Sequence, residues 1–203
     1  MDPTLLNDTV RALHLLGLAI GFGVAIVADV SAARLMVRPL DAKEIEALHR
    51  VHRMVTLGLM LFWVSGLGLL WLRTGLDPAK FSPKLMTKLG VVTLLTVNAV
   101  LIGRIGLPVI DAMRGLRFGA LPSGTRLQMA ALAALSTACW ISALALGVFS
   151  QLKKMYGGLL SEIIGLRYLI ALASACLAAL VAPLVDYVLE RRSPHYWGPP
   201  VQG

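Results

Sequence analysis

Apolar residues in this chain are gathered into long runs that short polar segments separate. The first run extends from Val10 to about Met36, which is longer than the roughly 20 residues that a helix needs to cross a bilayer. Four further apolar runs follow, from Met54 to Leu72, Leu85 to Leu107, Met129 to Phe149 and Ile163 to Leu189. They lack the strand-like alternation of membrane barrels. The pattern predicts an all-α polytopic membrane bundle of about five transmembrane helices.

The polar segments mark where these helices begin and end. After Pro39, the residues from Asp41 onward predict a short amphipathic helix, because Asp41 and Glu44 have the spacing of a capping box. Pro108 lies at the exit of the third span, and Pro183 is expected to break the fifth. Residues 1–190 are therefore expected to form a single transmembrane domain, followed by an irregular Pro-rich tail over 191–203.

Composition and charge agree with membrane insertion. The chain is 57% hydrophobic and only 15% charged, whereas soluble domains average about 25% charged residues. The net charge of +8 could indicate a nucleic-acid partner, but the basic residues flank apolar runs, which is typical of anionic lipid contact and topology setting. We therefore expect lipid and no nucleic acid as a partner.

The distribution of basic residues predicts an orientation and a location. More of them fall on the side of the first connection, the third connection and the tail, which favours an N-out, C-in topology. The N-terminus is acidic, so no cleavable signal peptide is expected. We predict a multi-pass protein of the bacterial inner membrane. Cys139 and Cys176 each lie inside an apolar run and are expected to be small buried side chains.

The first span carries a histidine above a face of small residues. At helical spacing, His14, Gly17 and Gly21 share one stripe. Two interpretations are open. The glycines can allow close helix packing, as small residues four apart do in membranes. Alternatively, a flat cofactor lies on this smooth face, with His14 as an axial metal ligand, since haem iron is commonly held by histidine.

A lysine near the entrance of the third span is the candidate partner of His14. Lys88 lies about one turn inside that entrance, on the same side of the membrane as His14. A deprotonated lysine can ligate a metal, although a lysine reaching toward headgroups is the alternative. His49 and His52 lie at the opposite membrane end, so His52 cannot share one iron with His14.

Ionisable residues near the inner side suggest a second feature. Asp29, Arg34, Arg104 and Asp186 are predicted to form a buried charge network that fixes helix register. The alternative is a proton or substrate pathway through this network and Asn98.

Three segments of the first half of the chain carry a resemblance to known families. These are ALHLLGLAIGFG (12–23), LGLMLFWVSGL (57–67) and KLMTKLGVVTLLTVNA (84–99). The first resembles the opening of CopD-type copper-resistance membrane domains, and all three resemble the bacterial membrane protoporphyrinogen oxidase of the HemJ type. That family pairs a histidine of its first span with a lysine opening its third and binds haem b. The resemblance implies His14 and Lys88 as the ligands here.

The leading functional hypothesis is an integral membrane haem-binding redox protein. Haem b would be held by His14 and Lys88 against Gly17 and Gly21, for porphyrinogen oxidation or electron transfer. The alternative is a small transporter or assembly factor without a redox cofactor. The sequence leaves open whether the protein is an enzyme and whether it forms a homo-oligomer.

Overall fold

The computed structural model describes residues 2–149, 152 and 157–192. Within these residues it contains helices and no strands, so the all-α prediction is confirmed. The α-helices are α1 (Pro3–Ala33), α2 (Ala42–Thr74), α3 (Pro83–Leu101), α4 (Leu107–Ala112), α5 (Ser123–Val148) and α6 (Gly157–Arg192). The predicted tail lies outside the described residues beyond position 192.

Five helical segments are long and apolar enough to cross a membrane. Even the shortest of them, Ser123–Val148, has 26 residues, or about 39 Å of helix at 1.5 Å per residue. This exceeds the roughly 30 Å of a hydrocarbon core. The chain is thus a multi-pass membrane protein.

The ends of several spans follow the predicted caps. Asp41 accepts the Glu44 backbone N–H at 2.7 Å and Glu44 accepts the Asp41 N–H at 3.1 Å, which confirms the capping box. The separate short helix after Pro39 is a wrong prediction, because α2 runs from Ala42 to Thr74 without a break. No proline interrupts that stretch, so the helix continues into the span.

The two intramembrane prolines do not end their helices. The third span was expected to end at about Leu107, next to Pro108, but helix continues to Ala112 through a π-helical turn at Ile102–Gly106. In that turn the Leu107 N–H bonds to the Ile102 carbonyl. The wider turn accommodates Pro108, which has no N–H to give.

The expected break at Pro183 is also wrong, because α6 continues through it. Pro183 leaves the carbonyl of Ala179, four residues earlier, without its helical donor. The Arg126 guanidinium supplies that donor from Nε at 3.1 Å, and its Nη1 donates to Gly119 and Leu121 carbonyls.

The core lies between α1, α2, α3 and α5, and the start of α6 adds Leu160 to it. Trp140, Leu95 and Leu146 are each only 1% exposed within it. Large apolar side chains cover the outside of the bundle, such as Val64 and Leu180, as expected where lipid is the solvent. Cys139 is buried as predicted, but Cys176 is exposed on α6, so that part of the cysteine prediction is wrong.

Candidate functional site

The His14 ring is held in a defined tautomer by α2. Its Nδ1 lies 3.1 Å from the Phe62 carbonyl oxygen and 3.1 Å from Ser65 Oγ. A carbonyl oxygen only accepts, so Nδ1 carries the proton and donates. The Ser65 hydroxyl directs its own proton to the Leu61 carbonyl at 2.6 Å, which leaves its oxygen free to accept. The neutral ring therefore keeps its lone pair on Nε2, the nitrogen that remains for a ligand.

Packing fixes the same ring from two further sides. The Phe62 ring stacks on it, with centroids 4.1 Å apart and planes 18° from parallel. A Cβ at Gly66 would lie only 3.1 Å from His14 Cε1, so the absence of a side chain there leaves room for the imidazole. These contacts limit rotation of the ring and hold its orientation.

The structure brings His14 and Lys88 into one cavity. It has a volume of about 320 Å³ and is lined from α1, α2, α3 and α5, which is within the size range of small-molecule sites. Seven leucine side chains line the walls. Trp63, also in the wall, donates from Nε1 to Thr96 Oγ1 at 2.8 Å and so joins α2 to α3. Lys88 is half-buried and makes no hydrogen bond or ion pair within residues 2–149, 152 and 157–192.

Basic side chains surround the mouth of this cavity. We call this set the basic rim, and it consists of Arg11, Arg73, Lys80 and Lys84. No acidic residue is among the described residues that line the cavity or its mouth. Lys84 donates to the Phe149 carbonyl at 2.7 Å and Lys80 lies 3.8 Å from Asp77. The rim favours a ligand that carries negative charge at one end of an apolar body.

Gly17 and Gly21 lie outside the lining of this cavity and pack against protein. A Cβ at Gly17 would come within 2.7 Å of the Phe62 backbone nitrogen, and one at Gly21 would overlap the Trp140 ring. Of the two interpretations of this stripe, the structure therefore shows close helix packing.

The predicted charge network at the inner side does not form. Asp29 accepts a hydrogen bond from the Thr137 hydroxyl at 2.8 Å. Arg34 lies 3.5 Å from Glu44, and Arg104 is exposed. Asp186 pairs with Arg117 instead. The position of a residue along its helix determines its depth in the membrane but not the direction in which its side chain points. Here the four side chains point toward different neighbours.

The two histidines at the opposite end, His49 and His52, lie against other residues. His49 Nε2 lies 2.9 Å from an Asp111 carboxylate oxygen, and His52 Nε2 would lie 2.9 Å from a Cβ at Gly103. Neither belongs to the cavity of His14, in agreement with the separation expected from sequence. The described residues include no cluster of three or more His, Cys, Asp or Glu side chains that could hold a metal ion.

Sequence reasoning missed the groups that orient His14. Phe62, Ser65 and Gly66 lie in an uninterrupted apolar helix, where nothing in the hydropathy pattern marks the face toward α1. The adjacent serine and glycine in an otherwise bulky run are the one signal that could have directed attention there.

Comparisons with known proteins give no independent assignment of this site. No protein-family model, no curated protein and no solved structure matches the chain.

Proposed function

We propose that this protein is a membrane haem-binding redox protein in which His14 and Lys88 would hold the haem iron. The observation that carries the proposal is the donation of His14 Nδ1–H to the Phe62 carbonyl. Metal-bound histidines almost always donate their other ring N–H to a carbonyl, a carboxylate or water, which fixes the tautomer and raises ligand basicity. His14 has this arrangement already.

The surrounding residues fit the chemistry of a haem. Lys88 lines the same cavity without a competing carboxylate, leucines supply an apolar enclosure, and the basic rim matches the carboxylates at one edge of the macrocycle. Bound haem supplies one-electron chemistry at its iron. The chain's own residues would hold and orient it, exclude water from its faces and bind its carboxylates. Porphyrinogen oxidation and electron transfer are the two reactions that we propose for such a site.

The proposed location is a bacterial inner membrane, with this cavity near the outer leaflet. The transporter alternative has less support, because its pathway residues face different neighbours. The experiments below therefore test haem binding.

An absorption spectrum of the purified protein tests the proposal. Protein from haem-replete cells, purified in mild detergent, is expected to show a Soret band that shifts on dithionite reduction. His14→Ala should remove that band, because Nε2 is the proposed ligand atom. His49→Ala is the matched control and should leave it unchanged. A colourless wild-type protein that also fails to take up added hemin would contradict haem binding.

The role of Lys88 is tested in the same preparation. Lys88→Ala is expected to retain some haem through His14 but to change the position and sharpness of the reduced bands, since one of the two proposed iron ligands would be lost. Lys43→Ala, at the other membrane end, is the control. Identical spectra for Lys88→Ala and wild type would exclude Lys88 as a ligand.

A further inference from the structure

A second, larger cavity lies toward the other end of α1. It has a volume of about 590 Å³ and is bounded by α1, α5 and α6, with the connections near Leu40 and Leu116 at its end. Asp29 in its wall is 15 positions from His14, which corresponds to about 22 Å along the helix axis. The two cavities share no lining residue, so this is a separate site.

Small side chains create the space. The facing surfaces of α5 and α6 contribute a run of alanines, Ala130, Ala133, Ala134, Ala138, Ala171, Ala175 and Ala178. Ile170 on its rim is 58% exposed, so the cavity opens laterally between the helices toward lipid. A bilayer-soluble molecule can therefore enter from the membrane without crossing the basic rim.

Two ionisable groups of opposite charge, Asp29 and Arg167, line this apolar cavity without forming an ion pair. Asp29 accepts from the Thr137 hydroxyl, and Arg167 Nη1 donates to Ser142 Oγ at 3.3 Å. In the described part of the chain, neither side chain has an ion-pair partner within 4.0 Å. Ionisable groups inside a membrane are costly and are normally paired or used for a ligand. The remaining guanidinium donors of Arg167 are thus available to an acceptor oxygen.

The charge balance of the lining selects a neutral ligand. Asp29 and Arg167 offset each other, and the third ionisable residue, Arg114, pairs with Asp111 at 3.2 Å. A fatty-acid anion would be opposed by Asp29, and the charged headgroup of a phospholipid belongs at the membrane surface. What remains is a long apolar molecule whose uncharged head carries carbonyl oxygens.

We propose that this cavity binds an isoprenoid quinone from the bilayer. Arg167 donates a hydrogen bond to one ring carbonyl, while the Thr137 hydroxyl keeps Asp29 as its acceptor. The alanine surfaces of α5 and α6 contact the ring and the start of the tail. This binding site is independent of the haem proposal.

Direct binding in nanodiscs tests the proposal. Decylubiquinone is titrated into the protein by isothermal calorimetry, with decylbenzene as a probe of the same tail length that lacks carbonyls. We expect saturable binding of the quinone only. Arg167→Gln should weaken it at least tenfold, because a guanidinium hydrogen bond is lost, and Ala134→Phe should abolish it by filling the cavity. Glu46→Gln, exposed on α2, is the control and should bind as wild type.

Other outcomes identify other occupants. Equal binding of decylbenzene and decylubiquinone would show a groove for acyl chains and overturn quinone recognition. Unchanged quinone affinity in Arg167→Gln would also overturn quinone recognition. If Ala134→Phe fails to fold, the affinity of Arg167→Gln alone tests the proposal. His14→Ala is expected to keep wild-type quinone affinity even where haem is lost, which separates the failure of one site from that of the other.

Discussion

Single glycines set how closely α1 and α2 approach each other. Gly58 on α2 lies against the backbone of Gly21, and Gly17 lies against the backbone of Phe62. Backbone atoms cannot move aside as a flexible side chain can, so a methyl group at these positions must push the helices apart. The same close approach brings His14 within hydrogen-bond distance of α2, so packing here also positions His14 in its cavity.

Gly58→Ala is expected to destabilise the protein by about 1–3 kcal/mol, the usual cost of overpacking. Its Cβ would lie 2.7 Å from the Gly21 backbone nitrogen. Gly23→Ala is the matched control, because nothing lies within 4 Å of its Cβ. Thermal unfolding in detergent, followed by circular dichroism, compares them. Equal midpoints for the two variants would show that the helices are not in contact at Gly58.

The candidate ligands were accessible from sequence, whereas their surroundings were not. Histidine and lysine are conspicuous in apolar spans, and helix length alone places His14 and Lys88 at one membrane end. The neighbours of each residue depend on the rotation of its helix about the helix axis, and the hydropathy pattern of an apolar span says little about that rotation. For this reason the partners Phe62 and Ser65 were missed, and the network of Asp29 with Arg104 was wrong.

Helices α5 and α6 show how one element completes another. Pro183 removes a donor from α6, and Arg126 of α5 replaces it at the Ala179 carbonyl. Sequence rules predicted the five spans correctly, because apolar length is a local property. These rules were wrong at the two prolines, where the end of a helix depends on its surroundings. A proline does not break a helix when another group donates to the freed carbonyl, as at Pro183, or when a wider turn accommodates it, as at Pro108.

Arg126→Met is expected to lower stability by about 2–3 kcal/mol, since buried carbonyls lose charged donors. Pro183→Ala restores the N–H that Ala179 needs, so the loss on Arg126→Met should be smaller in that background. A double-mutant cycle of unfolding free energies in detergent measures the difference. Strict additivity of the two substitutions would mean that Arg126 does not compensate for the proline. Arg114→Met is the comparison variant and should cost less than about 1 kcal/mol, because the Arg114 side chain is 60% exposed where it pairs with Asp111.

The whole bundle distributes its positive charge in two different ways. At one end, Arg34, Arg38 and Lys43 lie in and around the first connection, where they are typical of a cytoplasmic face. At the other end, the basic rim is gathered around the mouth of the His14 cavity. If the rim binds the ligand proposed above, its positive charge is explained by that ligand and counts less against an N-out topology.

The N-out topology predicts that the connection between α2 and α3 is reached from outside and the start of α2 is not. In a background of Cys139→Ala and Cys176→Ala, Ala79→Cys places a thiol in the connection between α2 and α3, and Lys43→Cys places one at the start of α2. Both positions are exposed. A membrane-impermeant maleimide applied to intact spheroplasts should label Ala79→Cys at once, and Lys43→Cys only after the membrane is permeabilised. The reverse pattern would place the N-terminus and the His14 cavity on the cytoplasmic side, and the proposed site would then have to exchange its ligand with the cytoplasm.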